Sequence, residues 1–403
     1  RMLELDRDIS SYLSESKWNR LEEGIDTENV FITCGSAYNY LKEVLIYLGL
    51  DYPILKVGIS NPFPKKKVIE LFEKFSNSTV IVVEEADSIL EVFVKKIAFE
   101  NKFQGQILGR DDGVTLPYGE LTTRIIWNGL TKVLKLKEYP PDIPQFGSEL
   151  VFNRPPALCP GCPHRSTFYA LNKAIKKRHR VVSTDIGCYT LGAAPPLSVG
   201  NVVICMGSSI GIGSGISQIP NLKDPVVAVI GDSTFWHTGL PGVANAVYNN
   251  SNLMILAVDN FATAMTGFQP NPGELISIDE AVKGLGVKYV AVTDAFKPKE
   301  TINIIKKAIK HEGVSVVVSK GECRIQYVSR EGLPENIYVI DNDQCTGCHA
   351  CVNQISCPAI MWSGQKNERG KAIPVIDQVL CARCGLCAEV CPYNVIISKN
   401  PID

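Results

Sequence analysis

Apolar residues follow two spacings along this chain. Short, β-branched runs of three to six residues suit strands buried on both faces. Between them, apolar residues recur at i, i+3, i+4 and i+7, the spacing of a helix lying on a sheet. Val30-Phe31-Ile32, Ile54-Leu55-Lys56-Val57 and Val80-Ile81-Val82-Val83 read as strands. One helix runs through Leu41, Val44, Leu45 and Leu48 and stops at Gly49. Others run through Val68, Leu71, Phe72 and Phe75, and through Ile89, Val92, Phe93 and Ile97. The alternation predicts a parallel-sheet α/β unit over about 25–112, inside a domain of 25–134. It has no cofactor fingerprint, so a structural or docking role is expected. Residues 1–24 are polar and amphipathic and read as a helix or a connecting segment.

The proline-rich stretch 135–158 reads as an extended interdomain linker. The alternation then resumes over 159–335, with a helix from Thr167 to Lys177 and a strand at Val181-Val182. A buried strand, Val226–Ile230, is followed by a helix with Leu240, Val243, Ala244 and Val247 on one face. Strands at Leu253–Val258, Val287–Val290 and Val314–Val318, with a helix from Ile302 to Ile309, complete a second α/β sheet. Ile337–Ile340 reads as a hairpin-like entry to a cysteine-rich tail, 336–403.

Two strands of the second sheet release polar residues at their carboxyl ends, where open α/β sheets bind ligands. Gly231-Asp232-Ser233 ends one and Asp259-Asn260 ends the next. Asp232, Asn260 and the carbonyl of Ala262 offer three oxygens to a Mg²⁺ that also holds a phosphorylated cofactor. The same residues would also serve as turn residues of an ordinary βαβ crossover. The glycine-rich run 207–215 fails the dinucleotide fingerprint, because Ile216 stands where the last glycine belongs. The N–H groups of Gly207 and Ser208 can still face a diphosphate at a helix start; tight helix packing is the competing reading.

The chain has 403 residues and a formal net charge of −1, which gives no sign of a nucleic-acid partner. No apolar run reaches a membrane span of roughly 18 residues. The opening residues do not read as a signal peptide, and a cytoplasmic compartment is expected. Eight of the fourteen cysteines fall between Cys345 and Cys391 in short C-x2-C steps. Cys345, Cys348 and Cys351 precede Cys357-Pro358; Cys381, Cys384 and Cys387 precede Cys391-Pro392. Zinc ribbons are the alternative, but a triple C-x2-C-x2-C twice over is rare for zinc.

Gly231-Asp232-Ser233, followed after about two dozen residues by Asn260, resembles the thiamine-diphosphate signature, with Ser233 replacing its last glycine. The tail resembles two-cluster ferredoxins, in which the fourth cysteine of each run ligates the other cluster. That implies one [4Fe–4S] cluster on Cys345, Cys348, Cys351 and Cys391, and a second on Cys381, Cys384, Cys387 and Cys357. The first run departs, with five residues rather than three before its Cys-Pro. With Cys159-Pro160-Gly161-Cys162-Pro163-His164-Arg165, Asp185–Gly192 and Thr263–Gly267, the whole chain resembles the large subunits of indolepyruvate ferredoxin oxidoreductases.

The resemblance implies a transketolase C-terminal-like domain, a thiamine-diphosphate-binding domain and a C-terminal α+β ferredoxin domain. It implies oxidative decarboxylation of an aryl pyruvate with coenzyme A, to aryl-acetyl-CoA, CO₂ and reduced ferredoxin. A smaller β subunit and a dimer of heterodimers are expected. Such subunits begin with a pyrimidine-binding domain that supplies an activating glutamate. This chain starts inside the following domain, so the site is expected to need a segment from elsewhere. Asp185, Gly187, Gly207, Ser208, Gly231, Asp232, Ser233, Asn260, Ala262 and Thr266 are expected at the cofactor, with His164, Arg165 and His237 as catalytic polar groups near it, able to bind the 2-oxo acid carboxylate or move protons; hydrogen-bonded loop residues are the competing reading for each. Cys159, Cys162, Cys188 and Cys323 follow strands or a linker in ways that let them meet at one sheet edge, and related pyruvate enzymes hold a proximal cluster on a similar set. Three clusters are therefore expected. Cys34 and Cys205 read as buried small hydrophobes. Another 2-oxo acid as substrate, such as pyruvate or a branched-chain acid, or an electron-transfer subunit with a degenerate thiamine site, are the alternatives.

Overall fold

The computed structural model describes residues 15–136, 155–177 and 179–400, with residues 4, 8, 9, 12 and 13. Most of the 135–158 linker lies outside the described residues. The chain divides into two compact units, Arg1–Phe152 and Asn153–Asp403.

In the first unit, strands β1 (Asn19–Glu22), β2 (Asn29–Cys34), β3 (Ile54–Val57), β4 (Thr79–Val83) and β5 (Ile107–Leu108) form a sheet in the order β1-β3-β2-β4-β5. All pairs are parallel except β1 with β3. The expected connecting segment thus contains an edge strand. Strand residues alternate between two cores. Val30, Ile32, Val80 and Val82 meet Leu71, Phe72 and Val94 on one face. Phe31 and Ile81 meet Leu41, Val44 and Leu130 on the other. Cover on both faces is why these strands carry no polar alternation. Gly49 ends the helix Gly35–Leu48 at φ 66°, and its N–H reaches the Ile46 carbonyl, a left-handed cap that favours glycine. The helix Thr123–Leu134, not evident in the sequence reading, starts at Thr122, whose hydroxyl accepts from Ile125 N–H at 3.3 Å.

The second unit holds β6 (Val181–Thr184), β7 (Val202–Val203), β8 (Val226–Gly231), β9 (Leu253–Asp259), β10 (Tyr289–Asp294) and β11 (Ser315–Lys320). They form one parallel sheet in the order β10-β11-β9-β8-β6-β7. The order reverses between β6 and β8, so the ligand crevice of such a sheet opens at their carboxyl ends. Val227, Val229, Met254 and Leu256 face a core with Phe168 and Leu171. Val226, Ala228, Ile230 and Ile255 face one with Phe235, Val243 and Ala246. In the helix Leu240–Tyr248, which follows a π turn at Phe235–Gly239, it is Ala246, not Ala244, that is buried with Val243, at i+3 on the same face. The glycine-rich run is a helix, Ser208–Ser217, with Gly213 packed against Leu253 and Ser183.

The tail has two antiparallel pairs. β12 (Ile337–Ile340) pairs with β15 (Ile396–Lys399), and β13 (Ile360–Lys366) with β14 (Ala372–Ile376). The expected hairpin at β12 is therefore corrected, since its partner is the last strand of the tail. Ile355, Ile360, Leu386 and Ile396 pack with the cysteines.

Phe168 is fully buried in the first core of this unit, and a Cβ on Gly192 would stand 2.3 Å from its ring. Phe168→Ala is expected to cost about 3–5 kcal/mol in denaturant unfolding. A cost under about 1 kcal/mol would show that the ring is not packed there.

Candidate active site and cysteine centres

Gly231 brings β8 to the crevice. A Cβ there would stand 2.4 Å from the Tyr189 ring, and one on Gly187 2.5 Å from it, so two glycines let that ring wedge between β6 and β8. Tyr189 hydroxyl donates to the Ile186 carbonyl at 3.0 Å and lies 3.1 Å from Thr234 Oγ1. Behind this wedge, Asp232 and Asn260 are 3% and 5% exposed. Asp232 Oδ2 accepts from Ala262 N–H and Asn271 Nδ2, each at 3.1 Å. Its other oxygen is 3.1 Å from the Asn260 side-chain oxygen, which is 3.2 Å from the Ala262 carbonyl oxygen. Adjacent ligands on octahedral Mg²⁺, bonded at 2.0–2.1 Å, stand about 3.0 Å apart. Asp232, Asn260 and Ala262 thus fit two edges of such a shell. Turned over, the Asn260 amide would instead donate to both oxygens.

The charges fit a cation as well. Burial, and then the neighbouring Asp259 carboxylate, push Asp232 up to about 7. Burial also raises Asp259. Two buried carboxylates side by side favour a proton or a metal between them. A cavity of about 130 Å³ beside them is lined by His164, Gly187, Cys188, Gly231, Ser233 and Thr266, among others. Thr263 Oγ1 donates to Ser233 Oγ at 2.9 Å, so the serine at the departing position ties the 263–267 loop to β8. His164 is 3% exposed, and neither ring nitrogen has a partner. Burial lowers its pKa to about 4, so it is neutral, edge-on to Tyr189 with ring centres 6.0 Å apart.

Several of the expected site residues lie away from this cavity. Asp185 does not reach the cavity: its carboxylate accepts from Ser209 N–H at 2.7 Å and Ser209 Oγ at 2.8 Å. It thereby fills the helix start at which Gly207 and Ser208 were expected to meet a diphosphate. Arg165 points the other way, to the carbonyls of Leu158, Ile355 and Ser356. His237 is exposed on the π turn and does not line the cavity. Tyr189 and Asn271 escaped the sequence reading; Asn271 carries no local signal, because its Asp232 contact spans 39 residues. A wider cavity of about 840 Å³ lies in the first unit, lined by Cys34, Glu84 and Lys96 among others. None of the thiamine residues borders it.

The cysteines gather in three sets. Cys345, Cys348, Cys351 and Cys391 ring one cavity of the tail. Cys357, Cys381, Cys384 and Cys387 ring another. Cys159 and Cys188 each lie within electrostatic range of Cys323, and Cys162 within range of Cys159. Cys188 also borders the cavity beside Asp232, and Cys323 N–H donates to the Asn260 main-chain carbonyl at 3.2 Å. Burial pushes Cys162 up to about 12 and, with its neighbours' charge, Cys351 up to about 11. Such thiols become thiolates only when iron or another metal takes the place of the proton. Among the described residues no three His, Cys, Asp or Glu are spaced to hold a single ion. Cys205 is exposed, not buried as expected.

Residues 185–319 match the family of the thiamine pyrophosphate enzyme, C-terminal TPP binding domain, and residues 344–395 match the 4Fe-4S dicluster domain. The chain is 40% identical, over 98% of its length, to indolepyruvate oxidoreductase subunit IorA of Pyrococcus horikoshii, of which it covers 64%. For IorA of Pyrococcus abyssi the figures are 39%, 98% and 64%, and for that of Archaeoglobus fulgidus 34%, 98% and 63%. The chain is similar to these IorA subunits along nearly its whole length. It spans a little under two thirds of their length. The thiamine match begins at Asp185, right after β6, and takes in Asp232, Asn260 and the loop between β9 and β10. The dicluster match takes in all eight tail cysteines. No helix among the described residues is long and apolar enough to cross a membrane.

Two outcomes follow from the oxygen cluster. Asp232→Ala or Asn260→Ala is expected to lower bound thiamine diphosphate at least tenfold by mass spectrometry while iron content holds, since each removes a hard-cation ligand; full cofactor in Asp232→Ala would contradict the site. In metal-free protein, Asp232 is raised from its ordinary 3.8 to about 7. Its contribution to stability is full below the ordinary value and is lost as pH rises through about 7. The melting temperature should therefore fall across that range without metal and hold with saturating Mg²⁺. Equal falls with and without Mg²⁺ would be the contrary result.

Proposed function

We propose that the protein is the thiamine-dependent large subunit of a 2-oxo acid:ferredoxin oxidoreductase that acts on indolepyruvate and related aryl pyruvates. The reaction is 2-oxo acid, coenzyme A and two oxidised ferredoxins to acyl-CoA, CO₂, two reduced ferredoxins and a proton. The observation that carries this is Asn260. Its side chain belongs to the oxygen cluster, and its main-chain carbonyl accepts from Cys323 of the nearest cysteine set. An oxidation that must release electrons singly needs an acceptor beside the reacting carbon.

Asp232, Asn260 and the Ala262 carbonyl would hold Mg²⁺, whose charge would anchor a diphosphate. Thiamine diphosphate, when bound, supplies the carbon nucleophile and electron sink for decarboxylation. His164, neutral and with both ring nitrogens free, faces the cavity; one nitrogen donates to a substrate oxygen while the other accepts a proton. Cys188 borders the same cavity; with Cys159, Cys162 and Cys323 it would hold a cluster able to take single electrons. Ile186, Met206 and Met265 leave an exposed apolar rim around the mouth. A pyrimidine-binding segment closes over that rim, excludes water and brings its glutamate. The smaller β subunit completes a dimer of heterodimers in the cytoplasm, and the tail clusters pass electrons to ferredoxin.

The test uses the full-length complex, purified without oxygen. With indolepyruvate, coenzyme A and ferredoxin, it should reduce ferredoxin with a kcat/KM at least tenfold above that for pyruvate. It should hold about twelve irons per chain, four per cluster, and Cys323→Ser should lower that to about eight and stop substrate-driven reduction. Preference for pyruvate would move the substrate. Eight irons with zinc in the wild type would remove the third cluster.

A further inference from the structure

Arg165 is among the most deeply buried side chains of the protein, 2% exposed. It stands three residues after Cys162, on the helix Pro163–Ala174. Its guanidinium donates to the carbonyl of Leu158, next to Cys159, and to those of Ile355, at 2.6 Å, and Ser356, next to Cys357. One cation therefore ties the nearest cysteine set to a tail set. The charges around it are sulfur. Burial lowers its pKa, and Cys357, Cys162, Cys159 and Cys384 act in the opposite direction. A buried cation without a charged partner is unstable, and thiolate-bound clusters would supply the partner.

A second cation repeats the arrangement. Arg324 follows Cys323, and its Nε and Nη2 donate to the carbonyl of Ala382, next to Cys381, at 3.3 and 3.1 Å. Its guanidinium carbon lies 4.1 Å from the ring centre of Tyr327. Gly161, at φ 71°, makes the close approach possible: a Cβ there would stand 2.8 Å from Ala382 Cβ and 2.9 Å from Arg324 Cγ. Gly161 and Arg165 both line the cavity of Cys357, Cys381, Cys384 and Cys387. The cavity of Cys345, Cys348, Cys351 and Cys391 is lined by no lysine or arginine among the described residues.

We propose that Arg165, supported by Arg324, is a positioning residue for electron transfer: it joins the Cys159–Cys162 loop to the Cys357–Cys381 pocket and holds the reduction potential of that tail cluster above the value the other tail cluster would give it. Reduction adds negative charge, so a fixed buried cation favours the reduced cluster, and low dielectric magnifies the effect. Arg165 is thus reassigned from the substrate to the electron path. The inference rests on the iron–sulfur reading of the cysteines.

The test is potentiometry followed by electron paramagnetic resonance on the full-length complex, with iron counted in every sample. Arg165→Gln should disfavour reduction of the Cys357/Cys381/Cys384/Cys387 cluster about tenfold, a fall of about 59 mV for one electron. Arg165→Lys keeps the charge and should recover most of that shift. Arg324→Gln should move the same cluster in the same direction by less, because Arg324 is only partly buried. The Cys345/Cys348/Cys351/Cys391 cluster should hold its potential throughout. Equal shifts in both tail clusters, or no shift at full iron content, would overturn the proposal. If Arg165→Gln loses its cluster, an unmoved potential in Arg324→Gln at full iron content would overturn it as well. A wild type without iron would instead remove the iron–sulfur reading on which it rests.

Discussion

Asn260 is engaged at both of its ends. Its side-chain amide lies against Asp232 and the Ala262 carbonyl, and its main-chain oxygen accepts from Cys323. Both contacts depend on β9 ending where it does, beside β8 and β11 in one parallel sheet. Strands that run the same way end on the same edge, so Asp232 after β8, Asn260 after β9 and Cys323 after β11 arrive together. The two α/β cores exist to hold that edge still; strands with both faces buried leave little freedom for their ends.

Polar groups at this edge are held against their solvation. Among the described residues, Asp232 sits beside Asp259, His164 has no partner for either nitrogen, and Arg165 is buried without a carboxylate. In a core these would be defects. Here each borders a cavity: Asp232 and His164 one, and Arg165 another. The buried polar groups and the cysteine sets therefore tell the same story from opposite signs of charge.

Much of this was legible in the sequence because its signals are local. The apolar runs of β2, β3, β4, β8 and β9 are dense enough to announce buried strands, and the C-x2-C steps fix sulfur spacing within a few residues. Asp232 and Asn260 could be found because strand ends in a parallel sheet share an edge. What failed depends on distant partners. β1 is a polar edge strand whose mate, β3, lies some three dozen residues on, and β12 pairs with the last strand of the tail. Asp185 and Arg165 carry motif positions, yet what each meets, Ser209 and the 355–356 carbonyls, is set by tertiary contact. The π turn that puts His237 in solvent leaves no mark on apolar spacing.

The central claim is that one sheet edge holds both a thiamine site and a third cluster. Anomalous diffraction at the iron edge, from crystals of the anaerobic full-length complex, tests it most directly. The account predicts three iron centres per chain, one of them among Cys159, Cys162, Cys188 and Cys323 beside Asn260. Two centres confined to the tail, with zinc or no metal at those four cysteines, would contradict it.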